Sequence, residues 1–365
     1  MPGPATDPKA VAAIIHPLLD EAVRHAVDIE AVKAQLVAEL RGMWSREIVE
    51  KIIDNIAVKL PRIKNRGRLS AVQSQKNVAE MIAVNNEIVS AGIAAIQTKL
   101  GLDMLKLAKV EVRQAIQEIK RSVPVVLDFK APSAQTIRAT MQTAPVQGRF
   151  VKEWMKEAGD RTKAAVTKEI RIGLAQGKTT EEMTRSLKGT RALGYSDGVL
   201  AKPRAQVETI VRTSVNTAVT DARELTYAEN SDIISGVKII AVLDSRTTFI
   251  CISEDQNVYE VGKGPRPPFH PNCRSTTIPV LDYDKIGFRP APGKRAALGP
   301  DGGTTVSAAT SYPEWFARQP AAWQKEVLGP GRYDLYRNGV KLADMKDLGG
   351  RRLSIEQIRQ RAGLN

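Results

Sequence analysis

Apolar residues recur every three or four positions through most of the first 230 residues, and this spacing constrains the fold more than any other feature. A period near 3.6 gathers such residues on one face of a helix. After Val11 the pattern runs through Ile14, Ile15, Leu18, Leu19 and Ala22. It resumes at Ile29, Val32, Leu36 and Leu40, and again at Ile48, Ile52, Ile53 and Ile56. Pro61 is expected to end the run, because proline lacks an N–H and its ring clashes with the preceding turn. A second helix is read over 71–100, with Gly101 as its stop. A third is read over 103–122, with Leu105, Ala108, Val112, Ala115, Ile116 and Ile119 on one stripe and Pro124 closing it. His16 and His25 fall in these runs without any repeated His or Cys spacing, so they are read as structural.

Three prolines between 123 and 147 suggest a linker or extended arm. Helices resume over 150–172. Thr179 with Glu182 three positions on predicts a helix start, since each side chain satisfies the other's free backbone donor. A further helix spans about 203–229, with Val207, Ile210, Val211, Val215, Ala218, Ala222 and Leu225 as its stripe. At Gly236 the character changes. Residues 237–243 are β-branched and read as a strand, 257–261 as a second, and 276–281 as a third that Pro279 pushes to an edge. Residues 289–310 are rich in Pro, Gly and Ala and read as a mobile linker. Short helices around Trp315, Trp323 and Tyr333 follow, and Ser354 caps a last one.

The expected fold class is α+β: predominantly helical, with a small antiparallel β-sheet carrying a Cys/His cluster. A length of 365 residues favours more than one domain. The expected division is a helical N-terminal domain (1–122), a linker or arm (123–149), a central domain (150–285), a flexible linker (286–311) and a small helical C-terminal extension (312–365). Aromatic residues make up only 5% of the chain, which favours helices packed through Ala, Val, Ile and Leu.

The formal net charge of +14 attracts polyanions at long range. The basic residues are spread along the chain. Their densest group, Lys59, Arg62, Lys64, Arg66 and Arg68 with Pro61 and Gly67, reads as a loop between helices. No aromatic side chain interleaves it, so any contact with DNA there would be electrostatic and indifferent to sequence. No apolar run is read as long enough to span a bilayer, and the first residues lack the pattern of a secretory signal. Folding in a cytosol, with no membrane partner, is the expectation. Two cysteines do not make a disulfide framework.

Those cysteines, with the one histidine beyond residue 25, fall between 251 and 273. His270 and Cys273 are separated by two residues, which lets both side chains address one centre from a tight turn. Cys251 lies across the second strand, and a sheet can return it to the same point. Asp244 or Asp255 is the expected source of a fourth, carboxylate ligand. Thiolates with imidazole suit zinc in a structural role. A Cys251–Cys273 disulfide, or two buried thiols beside a locally bonded histidine, are the competing readings. Catalysis is not expected. A single histidine cannot serve as both base and ligand set of a ββα-metal nuclease, and Cys251 is not predicted at a helix start. Asp244-Ser245-Arg246-Thr247 reads as a strand-ending turn. Arg246 and Arg274 are expected to pair with Asp244 or Asp255.

Taken in order, these segments resemble a known family. A helix with Val211-Arg212-Thr213 and Ala222-Arg223 precedes a strand, Asp244-Ser245-Arg246-Thr247, Cys251, and then Phe269-His270-Pro271-Asn272-Cys273-Arg274. This is similar to the domain of phage Mu F-like and SPP1-type minor head (head morphogenesis) proteins, over roughly 150–281. The tail from Tyr312-Pro313-Glu314-Trp315-Phe316 through Gly329-Pro330 and Arg332 resembles a C-terminal extension of such proteins. The resemblance implies a virion or prohead component in few copies. It implies association with the portal protein and with major capsid or scaffolding protein, and a role in assembly, DNA packaging or delivery. The family's Asp, Cys, His and Cys positions fall on Asp244, Cys251, His270 and Cys273. Some relatives carry toxin domains of the ADP-ribosyltransferase or nuclease kind, but the tail here shows no such catalytic constellation.

Overall fold

The computed structural model describes residues 18–64, 71–123, 128–287 and 293–364. His16, Arg66, Gly67, Arg68, Pro124 and Arg289 lie outside them. Helices α1 (Leu18–Trp44), α2 (Lys51–Lys64), α3 (Ala71–Ser122), α4 (Ala134–Thr143), α5 (Val151–Ala175), α6 (Thr180–Lys188) and α7 (Ala201–Glu229) precede the first strand. The remainder interleaves strands β1 (Ile234–Ile240), β2 (Val258–Tyr259), β3 (Thr276–Leu281), β4 (Lys294–Gly299) and β5 (Gly302–Ser307) with short helices α8 (Phe249–Glu254) and α9 (Tyr283–Ile286). Helices α10 (Tyr312–Ala317), α11 (Ala321–Leu328), α12 (Pro330–Arg337) and α13 (Ile355–Ala362) complete the chain. The α+β expectation holds.

The chain forms two compact units. One comprises Met1–Glu30, Leu107–Thr140 and Asn216–Asn365; the other comprises Ala31–Lys106 and Met141–Val215. Among the described residues, every named element of the second unit is helical. Ile48, Ile52, Ile56, Leu60 and Ile63 repeat at helical spacing and are almost fully buried. Ile48 belongs to a π-helical turn, Ser45–Glu50. It packs so closely on Gly92 of α3 that a Cβ there would lie 2.3 Å from its Cγ1. Only glycine allows that approach.

In the other unit the three-stranded sheet has the order β2-β1-β3, and both pairings are antiparallel. Pro279 does sit on an edge strand. The central strand begins and ends three residues before the expected 237–243. β1 is buried on both faces, so apolar packing holds this sheet more firmly than its short strands suggest. Val237, Ile234 and Leu281 pack with Ala115 and Ile119 of α3 and with Tyr227 of α7. A second core joins Leu243, Ile252 and Ala297 to Tyr312, Trp315, Phe316, Leu335 and Leu342.

Several expectations about segment ends need correction. Helix α2 continues three residues past Pro61. Lys59 and Arg62, expected in a loop, are therefore helical. Gly101 does not stop a helix; α3 runs through it to Ser122. A helical glycine costs about 1 kcal/mol, and buried Leu100, Met104, Ala108 and Val112 around it outweigh that. The long α3 also contains, within Gln73–Ser122, a window long and apolar enough to cross a bilayer by length and composition, contrary to the sequence reading. In this fold its Met81, Val89, Ile93 and Ile96 form a buried stripe in the second unit.

The proline-bearing segment before residue 147 holds helix α4. The expected mobile linker over 289–310 contains the β4–β5 hairpin, paired from Lys294↔Ser307 to Gly299↔Gly302 around a two-residue Pro300-Asp301 loop. Its Gly and Pro serve the turn, while Thr304, Thr305 and Val306 suit a strand. Arg295 on β4 is buried and anchors the hairpin. Its guanidinium donates to both oxygens of Asp255 at 2.9 Å, to Thr310 O at 2.8 Å and to Ala241 O.

Candidate metal centre

Three local devices bring Cys251, His270 and Cys273 together. Cys251 is in the first turn of the six-residue helix α8, not away from a helix start as expected. Thr247 and Asp244 fix the entry to that helix. Arg246 N and Thr247 Oγ1 both donate to Asp244 Oδ1 at 3.0 Å, giving the expected strand-ending turn. His270 and Cys273 sit on a turn closed by Cys273 N donating to His270 O at 3.1 Å, with Asn272 at φ +59°. Asparagine is among the residues that tolerate this left-handed conformation best. Cys273 leads directly toward β3, so the central sheet carries it to Cys251, and both sulfurs pack with Ala241, Ile250 and Phe269.

Cys251 Sγ lies 3.7 Å from Cys273 Sγ and 3.2 Å from His270 Nε2. The three ligand atoms all lie within 4.8 Å of one another. Both cysteines are free thiols, so the disulfide is not formed. Two sulfurs about 2.3 Å from a tetrahedral zinc stand about 3.8 Å apart, close to the separation seen. The histidine is also prepared. Its Nδ1 is 2.8 Å from Pro271 O, which can only accept, so Nδ1 carries the hydrogen. Nε2 is left facing the sulfurs, the arrangement that a backbone carbonyl imposes on metal-binding histidines.

The electrostatics distinguish the two thiols. Cys251 is pushed up, first by its hydrogen bond to Cys273 and then by burial. Cys273 is held well below its ordinary value, chiefly because Cys251 donates to its sulfur; burial opposes this and His270 reinforces it. Burial disfavours a charge on His270, but Cys273 and the Pro271 carbonyl outweigh it and raise its pKa. Deprotonated sulfur beside imidazole is the donor set a soft or borderline cation takes. Cys273 is only 1% exposed, which denies a substrate access to its sulfur and counts against a nucleophilic role.

The proposed carboxylate ligands go elsewhere. Arg274 grips Asp244 with both terminal nitrogens, at 2.5 and 2.8 Å, and this pairing holds the Asp244 carboxyl below its usual range against the effect of burial. Arg246 stands 3.6 Å from the same carboxylate. Asp255 is occupied by Arg295 and by Ala241 N and Tyr312 N, so neither Asp244 nor Asp255 joins the cluster. Asp244 and Asp255 instead brace the two ends of the segment bearing Cys251.

The sequence reading missed a second polar centre in the same unit. Arg223, buried on α7, donates to Glu111 at 2.5 Å and to Glu118 at 2.9 Å, both on α3. Its remaining nitrogen approaches Tyr227 Oη and Thr277 O at 3.4 Å. His25 reaches the other oxygen of Glu111 at 2.6 Å, which gives that histidine the structural role expected of it. Arg223 was visible in the Ala222-Arg223 motif, but its partners are more than 100 residues away.

Residues 164–278 match the family model described as Phage Mu protein F like protein. No curated protein and no solved structure gives a significant match. The matched stretch takes in α6, α7, β1 and β2, both Arg clamps' aspartates, and all three members of the Cys/His cluster. Over residues 164–278, which are a minority of the chain, the protein is therefore similar to the phage Mu protein F-like family.

Proposed function

We propose that this protein is a minor structural component of a tailed bacteriophage head, acting in prohead assembly and in the packaging or delivery of DNA. The observation that carries this reading is the family match over 164–278, which coincides with the braced Cys/His cluster. Its partners in this reading are the portal protein and the major capsid or scaffolding protein, with packaged DNA held by non-specific charge. Assembly takes place in the host cytoplasm, and the mature protein resides in the head interior or at the portal vertex. Mass spectrometry of purified proheads and virions should find the chain in few copies. Its absence from both would overturn the assignment.

In this reading Cys251, His270 and Cys273 hold a structural zinc ion, and no chemistry is assigned to it beyond cross-linking. Zinc would tie helix α8 to the turn before β3 and so fix one end of the sheet. Elemental analysis of the purified protein should give one zinc per chain, and Cys273→Ser should abolish it. A wild-type protein that remains metal-free when refolded with zinc would remove this part of the reading.

A further inference from the structure

The surplus positive charge is not shared evenly between the two units. The unit formed by Ala31–Lys106 and Met141–Val215 carries 26 Lys and Arg against 15 Asp and Glu. The other, although larger, carries 28 against 25. Within the basic unit many surface cations are already neutralised by carboxylates, as in Arg41–Glu208, Lys59–Glu80, Lys99–Glu39, Arg149–Glu157 and Lys156–Asp160. Arg185, Lys188 and Arg191 differ. Among the described residues none of them has a carboxylate at ion-pair distance, and all three line one open concavity of about 600 Å³.

The walls of that concavity are built for rigidity. Helix α6 starts with a capping box in which Thr179 and Glu182 satisfy each other's backbone. It ends at Gly189, whose φ of +86° turns the chain sharply. The following loop is then pinned, because Asp197 accepts from Thr190 N at 2.8 Å and from Thr190 Oγ1 at 2.9 Å. A Cβ at Gly198 would fall 2.4 Å from the backbone of Lys188, so only glycine lets the loop close on the helix. Lys188 rests over the ring of Tyr195, 5.3 Å from its centroid. The hydroxyl-bearing Thr180, Thr184 and Thr190 lie among the cations, with Glu181 the one acidic residue there. Arg185 and Lys188 also complement the negative end of the α6 dipole. That explains two of the cations, but neither Arg191 nor the clamped loop that presents it.

We infer that this concavity, formed by one side of α6 from Thr180 to Lys188 and by residues 189–191 after it, is a binding site for the phosphodiester backbone of nucleic acid. The inference rests on the head-protein reading only for the biological source of the ligand. Three unpaired cations with hydroxyl donors between them match a row of phosphates, which such groups position without reading sequence. Among the described residues no aromatic ring lines the concavity, and the Tyr195 ring nearby is faced by Lys188, so base stacking is not part of the site. An open, shallow site suits a polymer that passes across it rather than a small molecule that it encloses. Ordering little chain on binding keeps the entropic penalty low.

The test is fluorescence anisotropy of the full-length protein with a 20-base-pair DNA duplex of random sequence, across a salt series. Each phosphate neutralised contributes about 0.9 to the slope of log affinity against log salt. Arg185→Glu/Lys188→Glu/Arg191→Glu is expected to reduce affinity at least about tenfold and to flatten that slope by about 2 to 3. The control is Lys106→Glu/Lys168→Glu/Arg171→Glu, which changes the charge of the same unit equally at exposed positions off the site. It should lose clearly less. Circular dichroism and unfolding midpoints check that both variants fold; were the triple variant to fold poorly, Arg191→Ala alone should still lower the slope by about 1. Equal losses in the two charge-reversed proteins would overturn the site. So would a wild-type protein that fails to bind the duplex at low salt, or one that binds poly-glutamate as tightly as DNA. None of these outcomes bears on whether the chain is found in virions.

Discussion

The Cys251–His270–Cys273 cluster and the Arg223 network are two polar centres of one structural unit, assembled in opposite ways. The cluster draws its members from 23 consecutive residues and is held by short turns, a six-residue helix and the start of β3. The Arg223 network draws on α1, α3 and α7, with partners 105 and 112 residues from the arginine. The first needs only local geometry to form. The second exists only when three helices have packed, and its charges are compensated only then. A buried arginine flanked by two carboxylates is consequently a report on the whole unit, whereas the cluster is a clasp on one corner of it.

The comparison can be broken most forcefully at Arg223. Arg223→Ala leaves Glu111 and Glu118 buried without their counter-charge and should destabilise the protein by about 3–5 kcal/mol, read from urea unfolding. Arg223→Met combined with Glu111→Leu and Glu118→Leu removes the charges together and should recover most of that loss. If the combined variant is no better than Arg223→Ala, the network is not behaving as a compensated set of charges.

Stripping zinc tests the clasp. With zinc at a hundredfold its dissociation constant, chelation should lower stability by about 2.7 kcal/mol. The drop should be absent in Cys273→Ser, whose stability starts from the metal-free level. An unfolding midpoint that does not move on chelation of wild-type protein would leave the thiols and histidine as a hydrogen-bonded group alone.

A third probe lies two residues from Arg223. Asp221 is half-buried on the same helix with no counter-ion among the described residues, and burial, with Glu224 nearby, pushes its pKa up to about 7. One of its oxygens has no hydrogen-bond partner. A carboxyl raised in this way contributes stability fully below its unfolded pKa near 4 and loses it as pH rises through 7. Between pH 5 and pH 8 wild-type stability should fall by about 2 kcal/mol from this group. In Asp221→Asn that fall should vanish; an unchanged pH profile would show that the carboxyl is not held neutral. The smallest effect is expected at a purely local feature, the capping box of α6. Thr179→Ala should cost about 1 kcal/mol in thermal or urea unfolding, while Thr179→Ser should be nearly neutral.

What the sequence showed followed the range of the interactions involved. The capping box at Thr179, the helix cap at Ser354, the turn at Asp244, the edge strand with Pro279 and the proximity of His270 to Cys273 depend on residues a few positions apart, and all are present. The linker expected over 289–310 was misjudged for the opposite reason. Its composition suits a turn as well as a linker, and the choice is made by Arg295 reaching Asp255, 40 residues earlier. The same arginine withdraws Asp255 from the metal centre, as Arg274 withdraws Asp244.

The sequence by itself therefore determined the helical periodicity, the caps and turns, the family resemblance over its matched stretch, and the three donor residues of the candidate centre. Each of these is set by spacing along the chain, where geometry is fixed by covalent bonds. Tertiary structure decided which carboxylate meets which arginine, that α3 continues through Gly101, and that a basic concavity stands open beside α6. Those outcomes depend on desolvation and on partners brought together by packing. A burial that turns an arginine from a surface charge into a clamp leaves no mark on the residues next to it.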